Sequence, residues 1–291
     1  MPQAPLSQLK AEAAALSGDL GTLTTRARAA SAAHLGSAGR RKAGMGENFW
    51  QYRRHTTEDS VERVDWRRSA REENLFVRET ELETARTFLF WCDPSPGFHW
   101  SSADSAPLKA DRALLLSMAL AGALSRSGER CGALGGGRSA VSGARAPSRV
   151  GEDIRNFKAD LPFPKPPRDT AAAVICSDFY SPLEEWRARL SPLAAKCRDG
   201  VLLQVCDPIE EAYPFNGRVR FFRPGQDRER LIGRAESIRE GYLDKFARRR
   251  QDMTDLAAEL GWRFVSHVTS EEARTPLGKL AYGFELSGVA A

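Results

Sequence analysis

The amino-acid sequence predicts a doubly wound α/β fold with a mainly parallel sheet. Two observations carry this prediction. Short apolar runs that fit buried strands alternate with longer segments whose apolar residues recur every three or four positions, as in amphipathic helices. The strand-like runs are apolar almost throughout, which is typical of parallel strands that helices cover on both faces.

The chain before residue 86 precedes this alternation and forms two segments. Residues 1–33 are rich in alanine and carry spaced leucines, which predicts one or two helices with a break near Ser17–Asp19. Residues 34–50 contain four glycines and predict an extended, basic, irregular segment. We therefore expect an N-terminal helical segment over 1–33, a segment over 34–85 that docks on the main domain, and an α/β domain over 86–291.

Strands and helices follow one another along the rest of the chain. Strands are predicted at residues 75–83, 86–92, 130–134, 171–176, 201–206, 218–222 and 263–268. Helices are predicted at residues 108–126, 183–197 and 231–246, and from about Pro276 onward. Residues 135–148 are rich in glycine, serine and alanine and predict a loop.

The charge, the cysteines and the apolar runs limit the classes of protein that the sequence is compatible with. The net charge of +5 arises from 43 basic and 38 acidic residues, so most of the surface is of mixed charge. The five cysteines lack C-x-x-C spacing, which favours buried free thiols over a zinc site. The N-terminus lacks a signal-peptide pattern, and no apolar run is long enough to span a bilayer. We expect a cytoplasmic protein without a membrane span.

Three predicted strands end beside an aspartate: Asp93, Asp178 and Asp207. Ligands of such sheets bind outside the carboxyl ends of the strands. Asp93, Ser95 and Asp178 could offer oxygen ligands to a hard cation such as Mg²⁺. The alternative is that these aspartates cap turns and helices, and the spacing alone favours that alternative.

The sequence shows no nucleophile elbow of the form G-x-S-x-G and no phosphate-binding loop. We therefore expect a protein that is not an enzyme. A metal-dependent hydrolase that uses Asp93, Asp178 and Asp207 remains the alternative, although a general base is not evident.

Aromatic and arginine residues alternate between Gly44 and Arg71. This pattern suits stacking on nucleic-acid bases, but it equally suits cation–π and ion-pair contacts that hold the segment on its own domain. Eleven basic and ten acidic residues lie between Arg40 and Arg86, whereas a groove that follows a phosphate backbone needs a larger excess. The balance favours the structural interpretation and makes nucleic-acid binding the less favoured alternative.

The run from Gly44 to Glu83 resembles the signature of the family called domain of unknown function 58. The matching features are Gly44 and Gly46, Arg53–Arg54, Asp59, Arg63, Asp65–Trp66, Ala70–Arg71 and Val77–Glu79. Weaker similarity extends over most of the chain beyond about residue 30. Members of this family are similar to von Willebrand factor A domains and are often linked with MoxR-type AAA+ ATPases.

This resemblance implies a non-catalytic adaptor or partner of a MoxR-type ATPase. It also implies a metal-ion-dependent adhesion site, normally Asp-x-Ser-x-Ser with a threonine and a later aspartate, here at Asp93, Ser95 and Asp178. Gly97 stands in place of the second serine, and no threonine lies between Phe98 and Asp169, so we expect a degraded Mg²⁺ site. The signature residues expected to bind the partner or to hold the segment together are Arg53, Arg54, Asp59, Arg63, Asp65, Trp66 and Arg71.

Overall fold

The computed structural model describes residues 3–18, 20, 43–56, 59–60, 64–70, 74–81, 85–103, 106–157, 170–197, 199–222, 224 and 229–286. The chain divides into two compact units, one of residues 1–34 and 86–291 and one of residues 35–85. The first helix, α1, covers residues 6–18 and belongs to the larger unit. The remainder of the predicted N-terminal helical segment, apart from Leu20, lies outside the described residues.

The smaller unit is an antiparallel pair of strands with one short helix. Strand β1 (Ala43–Arg54) pairs with β2 (Phe76–Glu81), and the register shifts at two places along β1. Helix α2 (Trp66–Ser69) follows Asp65, which is its N-cap. The irregular segment expected over residues 34–50 is therefore a strand from residue 43 onward, because bulges let a glycine-rich sequence pair in a sheet.

The larger unit contains the remaining strands and helices. Its strands are β3 (Thr87–Cys92), β4 (Arg130–Ala133), β5 (Thr170–Ser177), β6 (Asp199–Cys206), β7 (Val219–Phe222), β8 (Glu229–Ile232) and β9 (Arg263–Val268). Its helices after α1 are α3 (Lys109–Arg126), α4 (Ala146–Asn156), α5 (Leu183–Ala194), α6 (Pro208–Ala212), α7 (Arg239–Glu259) and α8 (Arg274–Leu286). None of the helices within the described residues is both long and apolar enough to cross a membrane.

Five of these strands form one parallel sheet in the order β4-β3-β5-β6-β9. The chain leaves β3 toward β4 on one side and returns to β5 on the other side. The order therefore reverses between β3 and β5, and a reversal of this kind opens a crevice at the carboxyl ends of the two strands. Strands β7 and β8 form a separate antiparallel hairpin.

Alternate residues of the sheet point to two cores on opposite faces. Phe88 and Phe90 of β3 belong to the core that contains residues of α1, α3, α4 and α8. Leu89 and Trp91 belong to the core that contains residues of α5 and α7. Helices thus cover both faces of the parallel sheet, which confirms the predicted doubly wound α/β fold.

In the larger unit, α4 and β8 also differ from the sequence prediction. Helix α4 begins inside the predicted loop of residues 135–148, and the buried side chains of Ala146 and Val150 attach it to the first core. The helix predicted from Leu231 is a strand, β8, up to Ile232, and α7 begins only at Arg239. Gly233 follows β8, and a 3₁₀ turn over Ala235–Ile238 leads into α7, so the predicted helix begins at Ala235 rather than at Leu231.

Candidate functional site

A cavity of about 1010 Å³ lies at the carboxyl edge of the sheet, within the larger unit. The segments after β3 and β5 line it, together with the first residue of α3, helix α6, the β7–β8 hairpin and Tyr242 of α7. The polar residues at its base are Asp93, Ser95, Lys109, Asp178 and Glu210. The cavity therefore coincides with the reversal of strand order and contains all three predicted metal ligands.

Asp93 connects the ends of strands β3 and β5. Its backbone N–H donates to the carbonyl oxygen of Cys176 over 2.9 Å. Its Oδ2 accepts a hydrogen bond from Ser177 Oγ at 2.6 Å, and its Oδ1 accepts from the backbone N–H of Ser95 at 2.8 Å. One oxygen of this carboxylate thus fixes the local backbone, as an aspartate that caps a turn does, and the other accepts from the Ser177 hydroxyl at the end of β5.

Asp178 lies at the end of β5 and is 8% exposed. Its Oδ1 accepts from the backbone N–H of Tyr180 at 3.2 Å, and its Oδ2 accepts from Lys109 Nζ at 3.0 Å. Its carbonyl oxygen accepts from Gln204 Nε2 at 3.2 Å. The Asp178 carboxylate is therefore an ion-pair partner as well as a turn residue.

Lys109 is the first residue of α3, and its ammonium group is buried between two carboxylates. Nζ lies 3.0 Å from Asp178 Oδ2 and 2.8 Å from Glu210 Oε1. The rings of Phe98, Trp100 and Tyr180 also lie within 6.0 Å of the ammonium nitrogen. An ammonium group at a helix N-terminus opposes the helix dipole, so the two carboxylates compensate both its desolvation and that repulsion.

Burial and neighbouring charges shift the pKa values of Lys109 and Glu210. Burial lowers the pKa of Lys109, but the negative charges of Asp178 and Glu210 outweigh it and raise the pKa above its usual value. Burial raises the pKa of Glu210, and the charge of Lys109 only partly opposes that rise. Lys109 is therefore a cation at neutral pH.

Asp207 caps a helix, as the alternative interpretation of the strand-end aspartates predicts. It is fully buried, its Oδ1 accepts from the N–H of Ile209 at 3.0 Å, and its Oδ2 accepts from the N–H of Ser102 at 2.8 Å. Glu210 Oε2 accepts from the N–H of Asp207 at 2.8 Å, which completes a capping box at the start of α6. Glu210 thus completes the helix cap with one oxygen and accepts a hydrogen bond from Lys109 with the other.

Two non-glycine residues with positive φ border the cavity base. Phe179, directly after Asp178, has a φ of 58°, and Tyr213, at the end of α6, has a φ of 44°. Arg249 holds the strained turn because its Nε donates to the carbonyl oxygen of Phe179 at 3.0 Å and its guanidinium also donates to that of Ser181. Backbone strain of this kind persists where surrounding contacts determine the conformation, and it is concentrated at functional sites.

The β7–β8 hairpin forms an aromatic wall of the cavity. Phe221 packs against Tyr213 and Phe215, with ring centroids 6.1 Å and 5.0 Å away. On the opposite face of the hairpin, Phe222 is 65% exposed and Leu231 is 52% exposed. Phe222 also lines the cavity, whereas Leu231 is not among its lining residues, so the exposed apolar pair lies at the cavity rim.

The fit of a divalent cation to this site depends on Lys109. All four carboxylate oxygens of Asp93 and Asp178 accept hydrogen bonds, and a dication bound to Asp178 would lie beside the buried ammonium group. In the part of the chain that the structure describes, no group of three or more His, Cys, Asp or Glu side chains is arranged to hold a metal ion. The donor set does not fit Mg²⁺ while Lys109 remains in place, and Mg²⁺ binding by Asp93, Ser95 and Asp178 stays a prediction.

The signature residues lie in the smaller unit, where two of the acidic ones form local hydrogen bonds. Asp65 accepts from the N–H of Arg68 and from Tyr52 Oη, each at 3.0 Å. Asp59 accepts from the N–H and the hydroxyl of Thr56, each at 2.9 Å. The guanidinium of Arg68 lies 5.7 Å from the Tyr52 ring, a cation–π contact within the smaller unit. The docking of this segment on the main domain stays a prediction.

The other signature residues are more exposed or incompletely described. Arg53 and Arg54 are in β1, and Trp66, at the start of α2, is 58% exposed. Arg63 and Arg71 lie outside the described residues. A role of these side chains in partner binding stays a prediction.

Sequence reasoning missed Lys109 and Glu210. A lysine at the start of an apolar helix resembles an exposed residue of the first turn. The two partners of Lys109 are 69 and 101 residues away in the sequence. Glu210 did leave a signal, because the pattern from Asp207 to Glu210 is that of a capping box. The second oxygen of that glutamate, which binds the ammonium group, has no signature in the sequence.

Comparison with known proteins identifies uncharacterised relatives. The model of the family described as protein of unknown function DUF58 matches residues 51–252. Uncharacterized protein Mb1516 of Mycobacterium bovis and uncharacterized protein Rv1480 of Mycobacterium tuberculosis are each 27% identical over 225 residues, which is 70% of this chain and 68% of theirs. No solved structure matches the chain, so its likeness to von Willebrand factor A domains stays a prediction.

Proposed function

The chain belongs to the DUF58 family of proteins of unknown function, and we propose that it is a non-catalytic protein-interaction module that binds a MoxR-type AAA+ ATPase. The proposed binding surface is the cavity at the carboxyl edge of the sheet together with the outer face of the β7–β8 hairpin. The single observation that carries the proposal is the pair of exposed apolar side chains, Phe222 and Leu231, on that hairpin.

The hairpin has the composition of a protein-binding surface. Phe222 and Leu231 share its outer face with Arg220 and Glu229, because these residues alternate with the inward-facing Val219, Phe221 and Ile232. Adjacent exposed apolar side chains with charged neighbours are typical of protein interfaces. Arg220, 67% exposed at its side chain, pairs with Glu229 across the hairpin at 3.5 Å, so both charges border the exposed apolar pair.

The cavity beneath the hairpin suits binding better than catalysis. The carboxylates of Asp93 and Asp207 are each bound by two donors of this chain, and Asp178 is paired with Lys109. A hydrolytic site needs a carboxylate or histidine positioned to accept a proton from water. The contacts of Asp207 support the proposal over the hydrolase alternative, because both of its carboxylate oxygens accept from backbone N–H groups of the fold.

The identity of the partner rests on the resemblance of residues 44–83 to a family that is often linked with MoxR-type ATPases. The experiment is affinity capture with the full chain as bait, once with ATP and once with ADP. We expect a MoxR-type ATPase to be retained in at least one nucleotide state. The double variant Phe222→Ser/Leu231→Ser should lose it without a change in melting temperature, because both side chains are already exposed.

The matched control is Leu75→Ser, which removes an exposed leucine from the smaller unit. This variant should retain the ATPase as the wild type does. Equal retention by the hairpin variant would reject the hairpin as the binding surface. Retention of no AAA+ ATPase in either nucleotide state would reject the partner.

A further inference from the structure

The cavity base contains a cation that belongs to the chain. The ammonium nitrogen of Lys109 has two carboxylate oxygens within 3.0 Å, one from Asp178 and one from Glu210. Only 1% of Lys109 is exposed, so water contributes little to the coordination of its charge. An ammonium group with two anionic ligands and aromatic rings around it has the environment of a bound cation.

This cation takes one of the ligands that the sequence assigns to a metal ion. Asp178 is among the predicted metal ligands, and its Oδ2 faces Lys109 Nζ instead. Glu210 directs Oε1 to the same nitrogen, and its other oxygen is held by the N–H of Asp207. The three elements that carry Lys109, Asp178 and Glu210 are thus joined through one nitrogen atom, as metal ligands are joined through one ion.

A second cation at this place would be strongly disfavoured. A divalent ion bound to Asp178 would share its carboxylate with the ammonium group, at a separation where like charges in a protein interior repel strongly. The ammonium group has no other described acceptor than Asp178 and Glu210, so its displacement would leave a buried charge unpaired.

We infer that the Lys109 ammonium group is a built-in replacement for a divalent metal ion, so that the protein binds its partner at this cavity without a metal. The part that concerns the partner rests on the proposed function. The part that concerns the cation stands on the geometry of Lys109, Asp178 and Glu210 alone. The two parts can therefore fail separately.

The first measurement is a titration of the full wild-type chain with Mn²⁺, in which electron paramagnetic resonance detects the free ion. We expect no stoichiometric site. The inference is overturned if the wild type binds one Mn²⁺ per chain and Asp93→Asn or Asp178→Asn abolishes that binding. This arm needs only wild-type protein to support the inference.

The second measurement uses Lys109→Ala, which leaves Asp178 and Glu210 without a counter-charge. We expect a lower melting temperature, part of which MnCl₂ or MgCl₂ restores, and no restoration in the double variant Lys109→Ala/Asp178→Asn. The matched control is Lys10→Ala, which removes a lysine from the half-exposed ion pair with Glu152 and should show neither effect. A Lys109→Ala chain as stable as the wild type and indifferent to metal would overturn the inference, and if this variant does not fold, the wild-type titration decides.

The third measurement repeats the affinity capture in the nucleotide-free state with MgCl₂ or with EDTA. Equal capture supports binding without a metal, and capture that EDTA abolishes overturns it. Failure to capture an ATPase here and also with ATP and with ADP rejects the proposed partner, while the Mn²⁺ measurements still decide the role of Lys109.

Discussion

The guanidinium of Arg112 lies 3.3 Å from Nε2 of His267 and fixes the protonation of that ring. Arginine can only donate, so Nε2 accepts and the proton of the neutral ring is on Nδ1. Nδ1 lies 3.2 Å from Oε2 of Glu271, to which it donates. Burial, followed by the charge of Arg112, lowers the pKa of His267 to about 4.

His267 should make stability fall in mild acid. Its folded pKa lies below the unfolded value, so its contribution is complete above about pH 6.5 and is lost as pH falls toward about 4, where the unfolded chain binds the proton first. The full loss is on the order of 3 kcal/mol. Urea unfolding between about pH 4.5 and pH 7.5 measures most of this loss. His267→Gln should flatten the curve, and an unchanged slope in that variant would refute the assignment.

Gly200 should not tolerate a side chain. It lies at the start of β6, and a methyl group there would overlap the six-membered ring of Trp262, which is 4% exposed. We expect Gly200→Ala to cost about 3 kcal/mol or more, since an overpacked core must move. Gly241→Ala is the matched control, because its site in α7 is open, and it should stabilise by about 0.5–1 kcal/mol. Thermal melting of the two variants should therefore show shifts of opposite sign.

The five cysteines should be unreactive in the folded protein. All are free and buried, as the sequence predicts, and burial raises the pKa of Cys131 and of Cys206 to about 12 and that of Cys197 to about 11. Attack on a disulfide reagent requires the thiolate. Titration with Ellman's reagent should show no fast reaction in native buffer and five thiols after unfolding in urea. A fast-reacting thiol in the native protein would contradict the described burial.

Asp207 should affect stability and leave partner capture unchanged. Asp207→Ala removes the acceptor of two backbone N–H groups and should cost about 2–4 kcal/mol. Asp207→Asn keeps one acceptor oxygen, for the N–H of Ile209 or of Ser102, and should cost less. Urea unfolding orders the three proteins, and capture of the ATPase at a temperature where all three are folded provides the second readout. A catalytic or metal role would instead show as lost function in a stable Asp207→Asn chain.

The sequence predicts the sheet well because a strand that is buried on both faces is a continuous apolar run, which is visible locally in the sequence. The three central strands, β3, β5 and β6, are largely apolar runs, and Asp93 and Asp178 follow two of them. The strand order determines that these two are neighbours, and no local pattern encodes that order. The role of Lys109 is not predictable for the same reason, since it depends on contacts of α3 with the end of β5 and with α6. Strand β8 was mistaken for helix because its few apolar residues fit both periodicities.

Helix α1 and strand β9 lie outside the residues that the family model matches, yet both complete the larger unit. Leu9 and Ala13 of α1 pack in the first core, and β9 pairs with β6 along the edge of the sheet. A shortened gene that encodes only residues 51–252 would leave the backbone of β6 open to other chains. Recombinant fragments with those boundaries should collect in inclusion bodies, so a two-hybrid bait or an expression trial needs α1 and β9 as well.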